Sequence, residues 1–193
     1  MDAIEQLITR NRSVRRFDEK LAIEPATLRW LIGLARLSAT GGNLQQLKYI
    51  TSCSPQANAK IYENIGWAAY LPDWPGPAEG ERPTGYVVVL GDTDIHKVFG
   101  MNPGIAAQSI LLGATEKGLG GCMLAAFHEV ALREAFDLPD HLRVLLVIAL
   151  GVPAETVVID PIGPDGKIEY WRDAQGIHHV PKRDLDDLIF AAY

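Results

Sequence analysis

Four arginines, Arg10, Arg12, Arg15 and Arg16, fall within seven residues of a chain whose formal net charge is -6. Concentrated positive charge in an acidic protein points to a specific anion. With Ser13 between them, Arg12 and Arg15 make a fork of paired donors beside a hydroxyl, which suits the oxygens of a phosphate. The same charges also suit a solvated basic turn that caps a helix or pairs with Asp18 and Glu19. Three further segments could reach a ligand. Thr40-Gly41-Gly42-Asn43-Leu44-Gln45 sets two amides beside a flexible backbone, or ends a helix in a turn. In Gly118-Leu119-Gly120-Gly121-Cys122-Met123-Leu124-Ala125-Ala126-Phe127 the small residues let backbone N–H groups approach a flat ligand, or make a tight helix-to-strand connection. Val180-Pro181-Lys182-Arg183 is a second basic pair open to an anion, or the flank of the last helix.

Other chemistries are missing. There is no GxGxxG, GxxxxGK[ST], GxSxG or HExxH. Gly118-Leu119-Gly120-Gly121 follows a predicted helix, whereas a dinucleotide loop follows a strand. His178 and His179 are adjacent in a predicted extended segment, so their side chains point to opposite faces and do not share a metal. Cys53 and Cys122 have no CxxC and no histidine at ligand spacing, and are expected as two reduced, buried thiols.

The elements that must position these residues follow from periodicity. Helices are expected at residues 2–10, 25–38, from Ser54-Pro55 to about 66, 105–117, 129–136 and 185–191. Strands are expected at 48–53, 86–90 and 142–150, with an edge strand at 167–171. Residues 68–84 hold Trp74, Pro75 and Pro77 and read as a long surface excursion. At 193 residues, 48% hydrophobic, the chain is expected to be one domain over its whole length, 1–193, folding without metal or disulfide. Its acidic balance excludes nucleic acid and an anionic membrane as main partners. No signal-peptide pattern opens it and no run approaches the ~20 apolar residues of a membrane span, so a cytoplasmic protein is expected.

The four segments in this order resemble the nitroreductase family, over nearly the whole chain from Asn11 to Leu188. The likeness is greatest to short bacterial members, through Trp67-Ala68, Gly80-Glu81-Arg82-Pro83, Tyr170-Trp171-Arg172-Asp173 and His179-Val180-Pro181-Lys182-Arg183. The resemblance implies an α+β sandwich, a mostly antiparallel central sheet flanked by helices, in an intertwined homodimer with flavin at the interface. It implies FMN as cofactor and NADH or NADPH as electron donor to a nitroaromatic, quinone or similar small-molecule acceptor, by a ping-pong mechanism. The flavin would carry the chemistry, so no catalytic acid or nucleophile is expected. By the same resemblance Arg12, Ser13 and Arg15 match the phosphate and ribityl contacts. Thr40, Asn43 and Gln45 match a segment that reaches the flavin. Met123, Leu124 and Ala125 match a loop packed on the ring, with the Ala125 N–H near flavin N5. Lys182 and Arg183 match a basic pair that closes on the phosphate. The chain departs from the pattern at Asn11, Gln46-Leu47 and Asn102-Pro103, and it shows no counterpart of the donor to flavin O2. A flavin-binding storage or sensing module without turnover, or a related enzyme with other flavin chemistry, fits the same residues.

Overall fold

The computed structural model describes residues 2–193. Local signals open most helices as expected. The Glu5 side chain accepts the Asp2 N–H at 3.3 Å and starts α1 (Ala3–Arg10). Pro25 opens α2 (Pro25–Leu37). The Ser54 hydroxyl accepts the Ala57 N–H at 3.2 Å and caps α3 (Pro55–Tyr62). α4 runs Asn102–Glu116, α5 Glu129–Ala135 and α6 Leu185–Leu188.

Four strands, β1 (Leu47–Ser52), β2 (Gly85–Asp92), β3 (Gly120–Leu124) and β4 (Leu142–Gly151), form one antiparallel sheet ordered β1-β2-β4-β3. Alternation along β2 divides the core. Val87 and Val89 face α2 and α4 with Leu31, Ile110 and Leu111. Tyr86, Val88 and Leu90 face α3 and α5 with Ile61 and Leu132. The sheet is therefore buried between two helical layers, and the expected α+β sandwich is what forms. In β4 a bulge interrupts the register, because Val89 pairs with Leu146 and Leu90 with Val144. The extra residue, Leu145, returns Val144 to the face that Val147 and Ala149 occupy. Gly118, at φ 74°, turns the chain out of α4 into β3.

Three strands, β5 (Val157–Pro161), β6 (Trp171–Arg172) and β7 (His178–Lys182), make a second sheet ordered β5-β7-β6, with β5 and β7 parallel. Several expectations are corrected here. The segment containing Met123 and Leu124 is an edge strand and not a loop: Gly120, Gly121 and Cys122 pair with Gly151, Leu150 and Ala149 of β4. The edge strand expected at 167–171 shrinks to Trp171–Arg172, and the last helix is only four residues long. Cys122 is buried but Cys53 only half so. The 68–84 excursion is anchored, since Ala68, Pro77 and Pro83 are buried and Tyr62 donates to the Pro77 carbonyl at 2.7 Å. Among the described residues no helix is long and apolar enough to cross a membrane.

Candidate functional site

The arginine turn lies along the outer edge of β3. Ser13 bridges Gly121 in parallel, and the Val14 N–H donates to the Gly121 carbonyl at 3.0 Å. That approach needs glycine at Gly120, because a Cβ there would stand 2.8 Å from Val14 Cγ2. The Arg12–Arg15 turn and the Met123–Ala125 segment are thus brought together. Ser13 and Ala125 are exposed, Met123 is half-buried, and Leu124 points into the core, so Leu124 can offer a ligand only its backbone. Cys122 is packed against Ser13 and Arg15; burial pushes its thiol pKa up.

Arg12 and Arg15 differ. Arg12 is half-buried, donates to the Ile8 carbonyl at 2.8 Å and leaves its Nε without a partner. Arg15 is buried and turned inward. Its Nη1 lies 3.3 Å from the Ser13 carbonyl and 3.2 Å from His178 Nε2, and its guanidinium lies 4.7 Å from the centre of the Tyr170 ring. Beneath it sits the Glu155 carboxylate, 1% exposed. One oxygen accepts the N–H groups of Arg15 and Arg16 at 2.5 and 3.2 Å, and the other accepts Arg172 Nη2 at 2.9 Å. An internal carboxylate therefore fills a cradle of backbone and guanidinium donors of the kind an outside anion would use. Neither Glu155 nor Arg172 stood out as a site residue in the sequence, since their partners are some 140 and 17 positions from Glu155.

Thr40, Asn43 and Gln45 lie at the opposite edge of the sheet. A cleft of about 630 Å³ opens between α2, the start of α4 and β1, and Thr40, Gln45, Leu47, Tyr49 and Asn102 line it. Asn43 and Gln45 both adopt left-handed backbone, at φ 53° and 51°, and are exposed. Such conformations cost energy and collect at working sites. The Thr40 hydroxyl is buried without a partner. Asn102 accepts the Gly41 N–H at 3.0 Å, which ties this turn to α4. It was noted in the sequence only as a departure from the family pattern; its place as the first residue of α4 was the available signal. Arg29, Arg36 and Lys48 rim the cleft and suit an anionic ligand. Lys182 and Arg183 are exposed at the end of β7, and among the described residues neither makes an ion pair.

His178 and His179 divide as β geometry requires. His178 is fully buried and its pKa falls to about 4, through burial first and then the charge of Arg15. His179 contacts Asp160 at 2.7 Å and Asp173 at 3.3 Å and stacks on Trp171, and the Asp160 hydrogen bond raises its pKa.

Residues 81–152 match the model of the nitroreductase family. A curated protein of Methanothermobacter thermautotrophicus, named provisionally as an NADH dehydrogenase/NAD(P)H nitroreductase, is 25% identical over 162 residues, covering 80% of this chain and 79% of that one. A nitroreductase family protein of Clostridium novyi superposes with a TM-score of 0.63 at 24% identity, over 94% of this chain and 95% of that one. The fold is that of the nitroreductase family proteins. A further structure of this fold, an FMN-dependent nitroreductase of Clostridium difficile, gives a TM-score of 0.64 at 19% identity over 77% of this chain and 87% of that one. Seen as a nitroreductase fold, the sheet edges become the two places where ligand-facing residues collect. Buried donors without a partner stand at both edges and fit the phosphate and the polar rim of FMN: Arg12 Nε and Arg15 Nε beside β3, and the Thr40 hydroxyl beside β1. Arg15 Nη1 is engaged by the Ser13 carbonyl and faces His178, while its Nε has no partner.

Proposed function

We propose that this nitroreductase-fold chain is an FMN-dependent oxidoreductase that passes electrons from NADH or NADPH to a nitroaromatic, quinone or similar acceptor. It works as a homodimer, each flavin site combining the β3 edge of one protomer with the β1 edge of the other. One observation carries the composite site. The two ligand-facing sets stand at opposite edges of a four-stranded sheet, three strand spacings or about 14 Å apart at the least. One protomer cannot close both on one small ring system, whereas two copies can. Exposed Ile4, Ile8, Trp30, Leu37, Met101 and Ile105, all on or beside α1, α2 and α4, supply apolar surface for the contact.

The bound flavin supplies the redox chemistry. Arg12 and Ser13 hold the phosphate, with Lys182 and Arg183 near the opening. Met123 packs against the ring and the Ala125 N–H donates at its reacting edge. Thr40, Asn43 and Gln45 of the partner fix the ring's polar rim, and the cationic cleft admits donor and acceptor in turn.

Mixed dimers test the assembly. Arg12→Ala and Gln45→Ala each weaken FMN binding in homodimers. Refolded together at equal amounts, half of the dimers are heterodimers with one site doubly broken and one intact, so about a quarter of the parent's tight FMN sites return. A mixture that binds no better than its parents refutes the composite site. Anaerobic mixing with NADH and with NADPH tests turnover: unchanged flavin absorbance with both would leave a binding module without turnover.

A further inference from the structure

A smaller cavity of about 220 Å³ lies on the other face of the sheet, where α3, the start of β2 and the end of the 68–84 excursion meet. Its apolar wall is made by Ala22, Pro55, Ala59 and Pro83, and Glu19, Asn58 and Thr84 add polar groups. Two donors in it lack acceptors. Tyr86 is 1% exposed and its hydroxyl has no hydrogen-bond partner. Arg82 lies flat on Tyr62, 4.6 Å from the ring centre, with a buried Nε that is also unpartnered. Among the described residues Arg82 forms no side-chain ion pair. Glu19 also lines the cavity, and its Oε2 accepts the N–H groups of Gly80 at 2.5 Å and Arg82 at 3.3 Å. Burial holds the Tyr86 hydroxyl in its protonated, donating form.

A buried phenol and a guanidinium with no acceptor each carry a desolvation cost that an oxyanion would remove. We infer that this cavity binds a small organic monocarboxylate, its two oxygens taken by Arg82 and the Tyr86 hydroxyl and its apolar body by the alanine and proline walls. The planar guanidinium matches a carboxylate. The fixed negative charge of Glu19 opposes a dianion more than a monoanion. The volume excludes a nucleotide, and the cavity lies across the sheet from the cleft of Thr40 and Gln45. The ligand therefore binds independently of the flavin.

Cys53 lines the cavity and is half-buried, so it reports on occupancy. The rate of Cys53 alkylation by iodoacetamide is followed by mass spectrometry in the purified protein, with acetate, benzoate or inorganic phosphate at matched ionic strength. Acetate and benzoate should slow the reaction saturably and phosphate should not. Arg82→Gln should raise the protecting concentration about ten- to hundredfold, as loss of a charged hydrogen bond does. Tyr86→Phe should raise it about fivefold while leaving the melting temperature equal or higher, since it removes an orphaned hydroxyl. If Arg82→Gln does not fold, Tyr86→Phe carries the test. Protection by neither carboxylate, protection unchanged in the variants, or equal protection by phosphate would overturn the proposal.

Discussion

Removing the carboxylate of Glu155 would leave the N–H groups of Arg15 and Arg16 and the guanidinium of Arg172 without their acceptor, in a place where the carboxylate is only 1% exposed. Breaking a buried pair in this way costs about 3–5 kcal/mol, so Glu155→Ala should lower the urea midpoint sharply. Glu155→Gln, which keeps an acceptor oxygen, should lose less. Arg12→Ala should behave oppositely. Its one recorded side-chain hydrogen bond goes to an exposed carbonyl, so the melting temperature should hardly move while FMN affinity falls about ten- to hundredfold, measured by flavin fluorescence. At Gln45 stability and binding should separate. Its left-handed backbone costs a side-chain-bearing residue about 1 kcal/mol, so Gln45→Gly should hold or raise the melting temperature and still weaken FMN. A variant that lost both together would count against a ligand-facing Gln45.

At the scale of elements, the helices were the most legible part of the sequence. Pro25, Ser54 and the 3.6-residue pattern act locally, and α2 and α3 start where those signals stand. β3 was hidden because Gly120, Gly121 and Cys122 carry little strand propensity; β4 alongside makes them a strand. The second sheet was hidden because β5 and β7 pair in parallel across some 20 residues. The turn that carries Arg12 and Ser13 was readable as a turn, but the inward course of Arg15 depends on Glu155 and His178, which lie far along the chain. That small sheet also sets a pH response. His178 has a folded pKa of about 4 against an ordinary 6.5, so its contribution is present above 6.5 and is lost as pH falls towards 4. His179 is raised, so its contribution is complete below 6.5 and is lost as pH rises through its folded pKa. Subtracting the urea midpoints of His178→Gln from those of the parent should give a difference that falls between pH 6.5 and 4. The same subtraction for His179→Gln should give one that falls on the alkaline side. A flat difference in either would refute the assignment.

For the molecule as a whole, the proposed completion of the flavin site by a second copy would link cofactor retention to assembly. Dilution should release flavin and separate subunits over one concentration range, with fluorescence recovery tracking the change in scattering mass. A monomer that keeps its flavin would contradict this. The bulge in β4 bears on a different question, how the gene for such a chain can change length. Deleting one codon within a buried strand normally turns every residue on one side of the gap over, carrying polar groups into the core. Leu145 is the exception, because Val144 already pairs with Leu90 and Leu146 with Val89 as they would in an unbroken ladder. A lineage could lose that codon, or the neighbouring Leu146 codon whose loss leaves the same sequence, and keep Val144 facing Val147. β4 thus has one built-in place where its length can drift without disturbing the sheet whose two edges carry the candidate ligand-facing residues.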